Sequence, residues 1–199
     1  MTYKLKALPW IGKDYGKGIE GKRVMALGES HYCANPVEFT ENITRDVIRD
    51  LFDPESWHEA YKNTYAKFIN ALAGEQLDTD GKREWWNRIV FYNYVQTPMT
   101  GARVSPTAED FKNSEDAFFE VLEQQRPTHI IVWGKRLYEN MPDCGKELPA
   151  VNMNDGSEVR RWEYLLRDGS PVKLLEIRHP STGFSTDYWN NAIRLFLKE

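Results

Sequence analysis

Glu29, Asn93 and His179 are the residues of this chain best placed for chemistry, because each lies at the end of an apolar run. Gly28-Glu29-Ser30-His31-Tyr32 follows Val24-Met25-Ala26-Leu27, and His179-Pro180-Ser181-Thr182-Gly183-Phe184-Ser185 follows Val172-Lys173-Leu174-Leu175-Glu176-Ile177. Between them, Asn93 interrupts the apolar stretch Val90-Phe91-Tyr92-Asn93-Tyr94-Val95 near its end. In an open α/β sheet, ligands bind beyond the carboxyl ends of the strands, so polar turns at such ends converge on one pocket. A carboxylate and an imidazole would meet there. Each motif also has a purely structural explanation. Glycine leaving a strand accommodates an unusual backbone angle, a histidine in a His-Pro-Ser turn is held by its neighbours, and an asparagine within a strand satisfies nearby backbone groups.

The elements that must position these residues alternate between strand and helix signals, as in a parallel sheet wrapped by helices. Strand-like runs are Arg23–Leu27, Arg88–Val95, His129–Trp133, Leu148–Asn152 and Val172–Arg178. Asp53-Pro54 offers an N-cap with proline at the first helical position, and Trp57, Tyr61, Tyr65, Phe68, Ile69 and Leu72 keep one apolar face until Gly74. Thr107 caps a second helix with Glu109 and Asp110 in its first turn and Phe111, Phe118, Phe119 and Leu122 as its buried stripe. A last helix begins near Ser185 or Thr186 and runs through Trp189, Ile193 and Phe196. The Gly- and charge-rich segment 143–170 reads as a short surface strand with a hairpin. No internal repeat or low-complexity stretch interrupts the pattern.

Composition sets the frame. A chain of 199 residues that is 41% hydrophobic supports one domain with a real core, spanning residues 1–199. Cys33 and Cys144 lack the spacing of a zinc ribbon or an iron–sulfur site, so we expect no metal and no cofactor. No run approaches the roughly 20 apolar residues that cross a bilayer, and no signal-peptide pattern opens the chain, so a cytoplasmic, membrane-free protein is expected. The net charge of −4 argues against a broad grip on nucleic acid but leaves room for a local basic path. Lys4, Lys6, Lys13, Lys17, Lys22 and Arg23 form one such patch, and Arg160, Arg161 and Arg167 another. A solvated face explains either cluster taken alone.

In this order, the three polar elements resemble the uracil-DNA glycosylase superfamily. Its members carry a Gly-x-x-Pro-like turn after the first strand, an asparagine at the end of the second and His-Pro-Ser after the last. The connecting segments are similar too. Asn93-Tyr94-Val95-Gln96-Thr97-Pro98, then Arg103, Pro106-Thr107 and Glu109, then Arg126-Pro127-Thr128-His129-Ile130-Ile131-Val132-Trp133-Gly134-Lys135, look like the middle of the bacterial and archaeal iron–sulfur branch. The cluster cysteines of that branch are absent, with Thr97 and Ser114 near two of their places. His31-Tyr32 stands where that branch has Pro-Gly, and Thr182-Gly183-Phe184 replaces its short wedge.

The resemblance implies a three-layer α/β/α sandwich around a central, mainly parallel four-stranded sheet, acting on single- or double-stranded DNA that carries a modified base. An acidic single domain of this size without coiled-coil heptads is expected to be a monomer. The implied reaction hydrolyses a base–sugar bond through an oxocarbenium-like sugar, with a donor at the departing base. Glu29 would position or activate water and a neutral His179 would hydrogen-bond the base. Asn93 would read the extruded base, Phe39 or Tyr32 would stack on it, and Ser30 and His31 would line its pocket. Ser181, Thr182 and Gly183 would hold phosphate near the start of the last helix, and Phe184 would wedge into the stack. Phe184 as a hydrophobic staple for that helix is the competing reading. Two alternative functions stand beside this one: a catalytically weak or inactive module on the same fold that binds nucleic acid or protein, and a serine hydrolase built on Ser30. The latter lacks the second glycine of a nucleophile elbow.

Overall fold

The computed structural model describes residues 5–53, 59–101, 104–181 and 183–199. In chain order the elements are β1 (Trp10–Ile11), β2 (Val24–Gly28), α1 (Ile43–Asp50), α2 (Lys62–Ala73), α3 (Thr79–Trp86), β3 (Val90–Asn93), α4 (Ala108–Lys112), α5 (Glu115–Gln125), β4 (His129–Trp133), α6 (Lys135–Glu139), β5 (Lys146–Asn152), β6 (Glu158–Leu165), β7 (Pro171–Ile177) and α7 (Thr186–Leu197). They build an α/β fold on a seven-stranded mixed sheet of order β1-β3-β2-β4-β7-β6-β5.

Four strands, β3, β2, β4 and β7, run parallel in the middle of this sheet. The expectation of a four-stranded sheet is therefore too small. β1 adds an antiparallel edge beside β3, and the β5–β6 hairpin extends the other side through antiparallel pairing of β6 with β7. Segment 143–170 is thus part of the sheet and not a surface decoration. Its hairpin also delivers the chain back to β7 in the direction that parallel pairing with β4 requires.

Every residue of β2, β3 and β4 is buried, which is the signature of strands covered on both faces. Successive side chains point to opposite sides of a strand, and the apolar residues divide accordingly. Val24, Ala26, Phe91, Ile131, Trp133, Leu175 and Ile177 pack with Ile48 of α1, Phe68 and Ile69 of α2, Trp86 of α3 and Ile193 and Phe196 of α7. Met25, Leu27, Val90, Tyr92, Ile130, Val132 and Leu174 pack with Phe111 of α4, Phe118 and Val121 of α5 and Leu137 of α6.

The helices refine the sequence reading. Gly74 ends α2 in the left-handed conformation (φ 83°), as its place after the apolar face suggests. The described helix begins only at Lys62, however, and Tyr61, not Asp53, is its N-cap; Pro54 and Trp57 lie outside the described residues. Thr107 does cap a helix: its hydroxyl accepts from the Asp110 N–H and the Asp110 carboxylate accepts from the Thr107 N–H. That helix is split into α4 and α5 at Ser114, whose Oγ donates to the Asp110 carbonyl at 2.7 Å and accepts from the Gln96 N–H at 3.0 Å. α7 starts at Thr186 with Ser185 as N-cap, its hydroxyl accepting from the Tyr188 N–H. Among the described residues no helix is long and apolar enough to cross a membrane.

Candidate active site

The carboxyl ends of β2, β3, β4 and β7 open into one cleft of about 670 Å³. Gly28, Glu29, Ser30, His31 and Tyr32 enter it from the end of β2, Asn93 from β3, Trp133 to Arg136 from β4 and the start of α6, and His179 from the turn after β7. Tyr61, Thr64 and Tyr65 of the α2 region and Ile43 and Val47 of α1 close the remaining wall. The sheet order explains the convergence. β2 lies between β3 and β4, and β4 lies between β2 and β7, so the three polar turns stand side by side although they are remote in sequence.

The β2 turn is tightly knit. Pairing with the β3 side continues beyond the strands: Tyr94 N–H donates to the Gly28 carbonyl at 2.9 Å, Val95 to Glu29 at 2.8 Å and Met99 to His31 at 2.8 Å. A Cβ at Gly28 would stand 2.2 Å from Asn93 Oδ1 and 3.1 Å from the Phe91 ring, so glycine is required here for space. Its φ is not in the left-handed region, which corrects the reading of an unusual backbone angle at this position.

Asn93 and His31 form a buried polar pair. The Asn93 amide nitrogen lies 3.2 Å from His31 Nδ1 and 3.1 Å from Nε2, and His31 Nε2 lies 2.8 Å from the Thr44 hydroxyl. A neutral imidazole that donates from Nε2 to Thr44 and accepts at Nδ1 from Asn93 satisfies both partners. Burial enforces neutrality, lowering the His31 pKa to about 4. The amide nitrogen expected to read a base is therefore turned onto His31.

Glu29 faces the cleft with its carboxylate held from behind. Arg136 Nε donates to Oε2 at 2.7 Å and Nη2 to Oε1 at 2.5 Å, while Nη1 donates to the Ser105 hydroxyl at 2.5 Å. Arg136 follows Gly134, which has φ +99°, and a Cβ on Gly134 would come within 3.4 Å of His179 Cβ. Glycine thus permits the positive φ of the turn into α6, while the last turn lies at ordinary contact distance.

His179 contrasts with His31. No side chain among the described residues hydrogen-bonds its ring, which lies edge-on to Trp133 with centroids 6.3 Å apart. Partial burial lowers its pKa, Glu29 opposes that shift and Arg136 adds to it. A neutral imidazole with an uncommitted N–H and a carboxylate with spare lone pairs consequently share one cleft, a pairing suited to directing water and donating to a leaving group.

The other expected residues are less central. Ser30 and Tyr32 line the cleft, and Tyr32 is half exposed. Phe39 does not line it and lies beside His31 instead, with ring centroids 6.2 Å apart. Ser181, Gly183 and Phe184 lie past the cleft; Thr182 and Arg103 fall outside the described residues. The Ser181 carbonyl accepts from Lys67 Nζ at 2.8 Å, and Gly183 (φ +71°) packs near the Arg178 guanidinium. Phe184 stacks on Trp189 at 6.1 Å and 15°, which is the N′-to-N4 staple of α7.

Arg136, Tyr65 and Trp133 belong to the site but were not singled out from the sequence as functional. Arg136 reaches the site only through the fold. The pairing of Leu27 with Val132 sets the end of β2 beside the end of β4, and the turn into α6 then brings Arg136 onto Glu29. No protein-family model and no curated protein matches this chain.

Proposed function

We propose that this protein hydrolyses the N-glycosidic bond of uracil or another modified base in DNA, on a three-layer α/β/α scaffold of the uracil-DNA glycosylase kind. The observation that carries the reading is the convergence of Glu29 and His179, from the ends of β2 and β7, in a single cleft beside Asn93. Cleavage of a base–sugar bond leaves positive charge on the sugar and negative charge on the base. Glu29, with lone pairs beyond those used by Arg136, orients water toward the sugar carbon. His179, neutral and with an open N–H, donates to the base oxygen that gathers charge. Trp133 and Tyr65 give the extruded base apolar walls, and Tyr32 at the rim offers a face for stacking.

Two observations favour a second reading, a module of this fold that binds nucleic acid with little activity. The Asn93 amide is already engaged by His31 and the Glu29 carboxylate by Arg136. One assay separates the two. End-labelled single- and double-stranded oligonucleotides carrying uracil, hypoxanthine, xanthine or hydroxymethylcytosine are incubated with the wild type, Glu29→Gln and His179→Ala, then treated with alkali. Strand breaks made by the wild type and lost in both variants support the hydrolase. Retained binding without breaks on any substrate supports the module.

A further inference from the structure

We propose that Arg136 is a positioning residue of this cleft, fixing the Glu29 carboxylate in one orientation through a two-pronged ion pair while Ser105 fixes the arginine. The inference rests on the hydrolytic reading only in giving Glu29 its water-holding task; the geometry of the pair stands without it.

All three guanidinium nitrogens are used, two on Glu29 and one on Ser105. Such fork-to-fork pairing fixes the plane of the carboxylate as well as its location. A carboxylate accepts about four hydrogen bonds, so one acceptor direction on each oxygen remains for the cleft. The partners are also unequally exposed. The Glu29 side chain is 11% exposed and that of Arg136 52%, so the arginine shields the carboxylate from the solvent side. Lysine would supply the charge but not the fork.

The pair also governs His179. Burial lowers the pKa of this imidazole most, and Glu29 and Arg136 then act on it in opposite senses; Glu59 and Lys135 also line the cleft. Without Arg136 the carboxylate would act on His179 alone and favour the imidazolium, a group that no longer approaches a departing base as a neutral donor. Arg136 therefore sets the orientation of one reacting group and adds to the effect of burial in keeping the other neutral. An ordinary half-exposed surface ion pair would do neither.

The test follows His179 by NMR titration of its imidazole in the wild type, Arg136→Gln, Arg136→Lys and Glu29→Gln, alongside single-turnover oligonucleotide cleavage. The His179 midpoint is expected to rise in Arg136→Gln and to fall in Glu29→Gln. Arg136→Lys is expected to keep the midpoint near the wild type and still cut more slowly, by about 100-fold, because the fork is lost. A midpoint in Arg136→Gln equal to the wild type overturns the proposal, as does wild-type cleavage by Arg136→Lys. Should Arg136→Gln fail to fold, the cleavage rate of Arg136→Lys and the midpoint in Glu29→Gln carry the test. A wild type that cleaves nothing refutes the hydrolytic reading, and the titration then decides the ion pair independently.

Discussion

The turns that leave β2 and β7 each carry a histidine into the same cleft, yet they are built in opposite ways. Around His31 the backbone is stitched to the β3 side, glycine at position 28 lets Asn93 close in, and both ring nitrogens find partners. Around His179 the ring has no hydrogen-bonding side chain among the described residues, and its surroundings are an aromatic edge and an ion pair. The first turn spends its polar groups on holding shape; the second keeps one available. Proximity to a cleft alone does not distinguish a working histidine from a structural one, whereas the number of satisfied ring nitrogens does.

Reactivity should break along this line most strongly. Removing the imidazole with His179→Ala, or the carboxylate with Glu29→Gln, is expected to lower the single-turnover cleavage rate by about 100-fold or more while the fold is kept, as circular dichroism would verify. Equal losses in rate and in thermal stability would instead make both residues structural.

Acid stability should divide the histidines in the reverse sense. Burial lowers His31 and His129 to about 4 in the folded protein, against about 6.5 in the unfolded chain. Between these values the unfolded chain binds protons that the folded protein refuses. Stability is therefore complete at neutral pH and falls as pH drops from about 6.5 toward 4, by up to about 3 kcal/mol for each residue. Urea melts at neutral pH and near pH 4 should show this loss in the wild type and a smaller pH dependence in His31→Gln and His129→Gln. A wild-type midpoint independent of pH over that window would contradict it.

The clasp around Asn93 can be tested by Gly28→Ala, whose Cβ would sit 2.2 Å from Asn93 Oδ1. Displacing the asparagine should cost about 1–3 kcal/mol in denaturant melts. Gly183→Ala, at a turn with positive φ, should instead strain the backbone without touching Asn93. Smallest of all, Phe184→Ala removes the staple on Trp189 and should cost about 0.3–1.5 kcal/mol in thermal melts. A large loss of oligonucleotide binding with unchanged stability would restore Phe184 as a wedge.

Much of this was legible from the residues. β4 and α7 follow directly from the run His129–Trp133 and from the Ser185 cap, and the three parallel strand ends announce themselves because an unbroken apolar run stops at a polar turn. The short helices do not. α1 buries only Thr44 and Ile48, and α3 only Trp86, so neither has enough apolar residues to set a helical period. β5 is an edge strand with a mostly exposed pattern, which reads like a surface loop. Within the site, Glu29, Asn93 and His179 were visible because each breaks an apolar run. Arg136 was not, since it lies next to Lys135 at the start of a charged helix and gains its role only when β2 and β4 pair. Phe39 shows the converse, an aromatic at a suggestive spacing that the fold sets beside His31, outside the cleft lining.

The most direct measurement is of the bond that breaks. A duplex carrying the base found active in the cleavage screen is incubated with the protein in water enriched in ¹⁸O, and the products are analysed by mass spectrometry. Hydrolysis at the glycosidic bond predicts free base and abasic strand in equal amounts, with ¹⁸O on the sugar, for the wild type, and both formed more slowly by about 100-fold or more for Glu29→Gln. Strand scission with the base still attached, or no free base from any strand that the protein binds, would contradict the assignment.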